Sequence, residues 1–291
     1  MRFALFGNIY QESKATAVRL FIDCLKKHHA EVIVEKEYLD FLLKNNLIER
    51  EAVTATFDGN DFEADFAVSM GGDGTLLRTA SMVRDKQVSI LGVNMGRLGF
   101  LADVTAEEIN ACVDDLHKGD YKTESRVLIK VETDGEPISG YNCALNDVAI
   151  LKRDTASMIA IRTTVGGNYL TTYQADGLIV STPTGSTAYS LSNGGPIIVP
   201  QTGVLSLTAV APHSLNVRPI VIPDSAEIEL TVSSRSHTFL VAIDGHSCSL
   251  PEGTTLRLSR APYQVKVVKR KDAHYFSTLR DKMMWGADGR K

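Results

Sequence analysis

Short apolar runs and helical spacings alternate through the first part of the chain. Residues 3–6 are continuously apolar and stop at Gly7, the pattern of a buried strand running into a loop. Beyond Ser13, the residues Val18, Phe21, Ile22 and Leu25 fall on one helical face. A second short strand, residues 66–69, leads into a glycine-rich turn, after which Leu76, Leu77, Ala80 and Val83 again share a face. Residues 88–93 predict the next buried strand, and Ile109, Val113 and Leu116 the next helix. Such alternation predicts a parallel sheet covered by helices, a Rossmann-like α/β N-terminal domain over residues 1–124.

The period changes near Ser125. Val127, Ile129 and Val131 alternate with other residues, as do Ile228, Leu230 and Val232, and again Phe239, Val241 and Ile243. Period-two strands between Gly, Pro, Asp and Ser turns predict a mainly β, β-sandwich-like C-terminal domain over residues 125–268, interrupted by a helix after Thr187. Residues 265–268 form an apolar run, and Phe276, Leu279 and Met283 mark a short amphipathic helix. Residues 269–291 are therefore expected to pack back on the first domain.

Composition narrows the class of protein. With 291 residues, 44% of them hydrophobic, the chain can bury a large core and is not composed like a disordered protein. A net charge of -4 argues against general nucleic-acid binding, which favours a basic surface. Cys24, Cys112, Cys143 and Cys248 lie far apart with no CxxC pair, so neither a zinc ribbon nor a redox motif is indicated. The first residues lack a basic segment ahead of a long apolar stretch, and no run approaches the ~18 apolar residues of a membrane span. A cytoplasmic protein with no nucleic-acid or membrane partner is the expectation.

The turn Gly71-Gly72-Asp73-Gly74-Thr75 carries the clearest chemistry. Glycine leaves no side chain between backbone and ligand. Backbone N–H groups ahead of a helix N-terminus make a natural phosphate site. Asp73 cannot serve that phosphate, because like charges repel. It either holds a metal ion that bridges phosphate oxygens or accepts a proton from an attacking hydroxyl. The plain alternative is a tight turn in which Asp73 caps the helix. A second segment, residues 176–200, crowds Thr182, Thr184, Ser186 and Thr187 around Pro183 and Gly185, before a helix starting near Ala188. Clustered hydroxyls suit ribose, amide or phosphate groups, although such turns also cap helices.

Together, GGDGT and TPTGSTAYSLSNGGPI closely resemble the NAD kinase family, ATP-dependent enzymes that phosphorylate NAD on its adenosine ribose. The resemblance continues in NMGRLGFLAD (residues 94–103), in Asn146-Asp147 where the family usually has Asn-Glu, in APHSLNVRPIV (residues 211–221) and in Ile243-Asp244-Gly245. It spans roughly residues 70–246 in order. GGDGT alone is not specific, since lipid kinases and phosphofructokinases are similar there.

The resemblance implies transfer of a phosphoryl group from ATP, with Mg²⁺ or another divalent ion, to the 2′-hydroxyl of NAD. Asp73 would act at that hydroxyl, as base or through phosphate-bound metal. Gly71, Gly72, Gly74 and Thr75 would line the phosphates, and Gly74 and Phe100 would lie beside the dinucleotide. Asn146 and Asp147 would contact the adenosine portion, Asp147 near the ribose with a carboxylate one methylene shorter than usual. Asp176 matches the carboxylate that binds the nicotinamide carboxamide, often supplied by a neighbouring subunit. Thr184, Thr187, Ala188, Tyr189 and Ser192 fall on ligand-lining positions, Tyr189 and Phe100 being core aromatics in the bland alternative. Gln174 stands where many bacterial relatives have arginine, which implies acceptance of NADH as well as NAD. His246 is expected near the substrate, and His213 is expected to be structural. A homodimer or homotetramer is implied, and residues of both domains are needed to recognise a dinucleotide. A lipid kinase, a sugar-phosphate kinase and a non-catalytic NAD(P) sensor are the competing readings.

Overall fold

Five parallel strand pairings build the sheet of the first unit, with strand order β3-β2-β1-β4-β5-β19-β6. Its elements are β1 (Arg2–Gly7), α1 (Ala15–Lys27), β2 (Glu31–Glu35), α2 (Lys36–Lys44), β3 (Ala55–Phe57), β4 (Phe66–Gly71), α3 (Asp73–Val83), β5 (Ser89–Asn94), α4 (Ile109–Lys118) and β6 (Tyr121–Arg126). The chain returns to this sheet at its far end with β19 (Val265–Arg270) and α6 (Tyr275–Met283). The computed structural model describes residues 1–9, 15–96, 99–153 and 157–286. It divides into Met1–Ser125 with Val265–Lys291 as one unit and Arg126–Gln264 as the other. Ser13, ahead of α1, and Arg97 and Leu98 of the 94–103 stretch lie outside the described residues.

The α1 stripe Val18, Phe21, Ile22 and Leu25 is buried against Phe3, Leu5, Phe66 and Val68 of the central strands in one core cluster. Each such side chain contributes about 1.5–3 kcal/mol by leaving water. Lys26 and Lys27 sit in the last turn of α1, where the helix dipole favours cations. Strand β1 ends at Gly7, where only glycine fits, since a Cβ would lie 1.9 Å from Cζ of Tyr38. Among the described residues no helix is long and apolar enough to cross a membrane.

The second unit holds two six-stranded antiparallel sheets. One has the order β11-β10-β15-β18-β7-β8 and the other β14-β13-β12-β9-β16-β17. Their strands are β7 (Ile129–Thr133), β8 (Cys143–Ala144), β9 (Asp147–Lys152), β10 (Ile159–Val165), β11 (Asn168–Ala175), β12 (Gly177–Ser181), β13 (Val204–Val210), β14 (Ile220–Pro223), β15 (Ile228–Ser233), β16 (Thr238–Ile243), β17 (His246–Pro251) and β18 (Thr255–Arg260), with the short helix α5 (Tyr189–Ser192) after β12. Ile228, Leu230 and Val232 join Phe239, Val241 and Ile243 in one core cluster fed by both sheets, so their alternation marks the inner faces. Val127 precedes β7 and stays partly exposed. In the second sheet Val148 pairs with Val180 on one side and Ile243 on the other, and Asp147 pairs with Ser181. That register brings the start of β9, the turn after β12 and the turn after β16 to one end of the sheet.

Candidate functional site

In the first unit β4 is buried throughout and turns over Gly72 into α3. Gly72 has φ -98° and ψ -167°, and no side chain caps the helix. Its carbonyl accepts from the amides of Thr75 (3.0 Å) and Leu76 (3.2 Å). The first amides of a helix have no intrahelical partner and carry partial positive charge. The glycines of the turn differ in what they allow. A Cβ at Gly71 would lie 2.2 Å from Oγ1 of Thr75, so Gly71 lets the turn close. A Cβ at Gly72 or Gly74 would meet nothing within 4 Å, and neither residue has a positive φ. Both face a cavity of ≈ 480 Å³ whose lining also includes Asn8, Glu37, Thr75 and Arg78. Arg78 is gripped by buried Glu35 at the end of β2, Nη1 and Nη2 donating to its two oxygens at 2.8 and 2.5 Å.

Asp73 does not cap α3. Its Oδ2 accepts from the amide of Phe100 (2.9 Å), and its Oδ1 accepts from those of Leu101 and Ala102 (3.0 Å each). Gly99 permits this approach, since a Cβ there would lie 2.1 Å from Asp73 Oδ1. The Lys282 ammonium, from the last turn of α6, stands 3.5 Å from Asp73 Oδ2 and 4.6 Å from the Phe100 ring centroid. Lys269 on β19 holds the same segment from its far end, donating to Leu101 O (3.0 Å) and Asp103 Oδ2 (2.7 Å). Burial pushes the Asp103 carboxyl pKa up, and Lys269 opposes that rise.

The donor set does not fit a divalent ion held by the protein. Among the described residues no group of three or more His, Cys, Asp or Glu side chains is placed to hold one. Asp73 is met by amide donors and an ammonium rather than by further oxygens. Of the roughly four lone-pair positions of a carboxylate, the amides take both on Oδ1 and one on Oδ2.

In the second unit Asp244, at φ +47°, organises the sheet end that carries Asn146 and Asp147. Its Oδ2 accepts from Leu145 N (2.7 Å), and its Oδ1 accepts from Asn146 N (2.8 Å) and Asp147 N (3.1 Å). Asp147 is buried, and desolvation, then the Asp244 charge, push its pKa up to about 7. Burial also raises the Asp244 pKa, against the three amides and nearby His246. The Asn146 side-chain oxygen is buried without a hydrogen-bond partner among the described residues, a condition that costs about 1–3 kcal/mol until a donor arrives. The turn after β12 presses on the same residue: a Cβ at Gly185 would lie 2.1 Å from Asn146 O.

The hydroxyl cluster separates into two sets. Thr182 Oγ1 donates to Leu145 O (2.6 Å), while Ser186 Oγ donates to Pro183 O (2.7 Å) and accepts from Ile198 N (3.0 Å). These two fold the turn. Thr184 makes no side-chain hydrogen bond among the described residues, and Thr187 makes one 3.4 Å contact to Thr184 O. Ala188 is half-buried, and Ser192 and Tyr189 are exposed, Tyr189 by 41%. Neither Tyr189 nor Phe100 belongs to a core cluster. Asp176 pairs with Lys152 at 2.7 Å. Gln174 is exposed on β11, and its carbonyl accepts from the amide of exposed His213 (2.9 Å). His246 is exposed at the start of β17.

Lys282 and Arg78 were invisible as site residues in the sequence. For Lys282 a local signal exists: it lies three residues after buried Leu279 and seven after Tyr275, the spacing that puts it on their side of the helix.

Family models described as the ATP-NAD kinase N-terminal and C-terminal domains match residues 3–121 and 145–270. The chain is 53% identical over 290 residues to a protein named NAD kinase from Bacteroides fragilis, covering 100% of both chains. It is 42% identical to the NAD kinase of Porphyromonas gingivalis, over 98% of each. A solved NAD kinase from Archaeoglobus fulgidus in complex with ATP superposes with a TM-score of 0.75 at 25% identity, covering 98% of this chain and 99% of that one. The yeast NADH kinase complexed with NADH shares the fold, with a TM-score of 0.88 at 22% identity over 100% of this chain and 89% of that one.

Proposed function

The chain belongs to the ATP-NAD kinase family, phosphotransferases with an alcohol acceptor, and we propose how its residues divide the work. The reaction moves the terminal phosphoryl group of ATP to the 2′-hydroxyl of the adenosine ribose of NAD, giving NADP and ADP. The observation that carries the assignment is the N-terminus of α3, where Gly72 and Gly74 keep side chains out of a ≈ 480 Å³ cavity. Gly71, Gly72, Gly74 and Thr75 seat the phosphates at the uncapped helix end.

Asp73 is the base. The lone pair left on Oδ2 accepts the hydroxyl proton, while the three amides hold the carboxylate in place. The oxygen released from that proton attacks the terminal phosphorus in line, and ADP leaves with the electron pair of the broken P–O bond. A divalent cation, Mg²⁺ foremost, would supply charge neutralisation as a companion of the ATP phosphates, with no cluster of side chains among the described residues placed to hold it. Asn146, with its unpartnered oxygen, and Asp147 take the adenosine portion. Phe100, Thr184, Thr187, Ala188, Tyr189, Ser192 and His246 line the dinucleotide, and Asp176 takes the carboxamide. We read the enzyme as a homodimer or homotetramer, and as cytoplasmic on the strength of four cysteines that form no disulfide.

The test is NADP formation by purified enzyme with ATP, Mg²⁺ and NAD, and NADPH formation with NADH in its place. Neutral Gln174 sets no cationic charge against the oxidised nicotinamide ring, so NADH is expected to be phosphorylated as well. Turnover of NAD with none of NADH would remove the Gln174 argument. Turnover of neither would remove the functional reading.

A further inference from the structure

We propose that Lys282, delivered by the C-terminal helix α6, is a catalytic residue whose ammonium neutralises charge on the phosphoryl group during transfer. The inference rests on the assignment of Asp73 to the reacting hydroxyl.

Among the described residues Arg78, Lys269 and Lys282 lie against the residues of the glycine turn and the segment Asp73 grips, and the first two are committed elsewhere. Both outer nitrogens of Arg78 are bonded to Glu35, and Nη2 also stands 3.5 Å from Glu37. Lys269 is buried and donates to Leu101 O and Asp103. Lys282 is held differently. Its contacts among the described residues are a 3.5 Å charge pairing with Asp73 Oδ2 and a place 4.6 Å from the Phe100 centroid. At 3.5 Å the pairing is longer than a charge-assisted hydrogen bond, which runs about 2.7–2.9 Å. Its three N–H donors therefore remain available, and its side chain is 32% exposed.

Position supplies the rest. Oδ2 is the oxygen with a lone pair to spare, so the hydroxyl that donates to it lies within a few ångströms of the lysine. When that hydroxyl oxygen bonds to phosphorus, the equatorial oxygens of the transferring group come beside the ammonium. The proton passes to Asp73, the bridging P–O bond breaks onto ADP, and Lys282 donates hydrogen bonds without itself gaining or losing a proton. Stacking over Phe100 holds the ammonium in register on its flexible stem.

The experiment measures kcat and both KM values for wild type, Lys282→Gln, Lys282→Arg and Leu279→Ala, with ATP and NAD, alongside thermal melting. Lys282→Gln is expected to lower kcat by roughly 10²-fold, as loss of one transition-state donor does, with NAD KM and melting temperature nearly unchanged. Lys282→Arg is expected to recover at least ~10-fold of that loss, because a cation is restored. Leu279→Ala loosens α6 without removing the charge, and is expected to lower the melting temperature with a smaller fall in kcat. A Lys282→Gln enzyme with wild-type kcat would overturn the proposal, as would equal losses in Lys282→Gln and Lys282→Arg. If wild type formed no NADP, the failure would lie with the kinase reading instead.

Discussion

Asp73 and Asp244 use their carboxylates alike, each binding three consecutive backbone amides, at residues 100–102 and 145–147 respectively. Each is followed by glycine, and each fixes a segment that carries proposed ligand contacts. Asp73→Asn would therefore turn an amide N–H toward amide donors, so its lost turnover must be read beside its stability. Gly74→Ala separates the two effects more cleanly. The helix gains up to about 1 kcal/mol from the lost glycine entropy, and the new methyl enters the cavity rather than the core. The expected outcome is an unchanged or raised melting temperature with a weakened KM for ATP; wild-type kinetics would detach the cavity from the donor.

Asp147 carries a pH dependence. Burial, and then the Asp244 charge, push its carboxyl up to about 7 in the fold, from an ordinary value of 3.8. Between about pH 4 and 7 the folded chain holds a proton that the unfolded chain has released. Stability thus falls as pH rises through that window, by up to about 1.4 kcal/mol per pH unit, and the dependence is flat above it. Asp147→Asn should gain melting temperature over wild type between pH 5 and pH 8, whereas parallel melting curves across that range would refute the raised pKa. The sequence marked Asp147 as a site residue through its neighbour Asn146. It could not show the raised pKa, because part of that comes from the charge of Asp244, 97 positions away.

Among the elements, the period-two strands were legible because alternation is local: Ile228, Leu230 and Val232 face the core as their spacing requires. The split of Thr182 and Ser186 from Thr184 and Thr187 was not, since all are small hydroxyls and only the folded turn decides which are consumed. The placement of β19 was equally hidden. An apolar run at residues 265–268 signals a buried strand without naming its neighbour, here β5. Lys269 then ties β19 to Leu101 and Asp103, behind the segment that Asp73 grips. Lys269→Met leaves Asp103 buried without its cation, a change that costs about 3–5 kcal/mol. Burial already raises the Asp103 pKa, so protonation relieves the loss as pH falls. The variant should lose most melting temperature at pH 8 and less at pH 5, and Asp103→Asn added to it should recover part of the loss. A loss independent of pH would assign the effect to packing of the lysine stem.

At the scale of the molecule, the first unit is built from both ends of the chain and the second from one continuous stretch. This asymmetry predicts how the pieces fold. Residues 126–264 contain β7 through β18 complete, and every member of their core cluster lies within them. They are expected to melt cooperatively as an isolated β fragment. Residues 1–125 lack β19, whose Val265, Val267 and Val268 are buried and which lies between β5 and β6 in the sheet. Without it β5 becomes an apolar edge, β6 loses its neighbour, and Asp103 loses Lys269. That fragment should show no cooperative transition by circular dichroism. Joining residues 1–125 to 265–291 through a flexible Gly/Ser linker should restore one, because the missing strand is returned covalently at high effective concentration. Cooperative melting of 1–125 alone would show that β19 is an addition to an already stable sheet. Failure of 126–264 to fold would show that its sandwich depends on the first unit. The expected pattern instead makes β19 a condition for a stable unit around Asp73, and α6 with its Lys282 is tethered to that unit directly after β19.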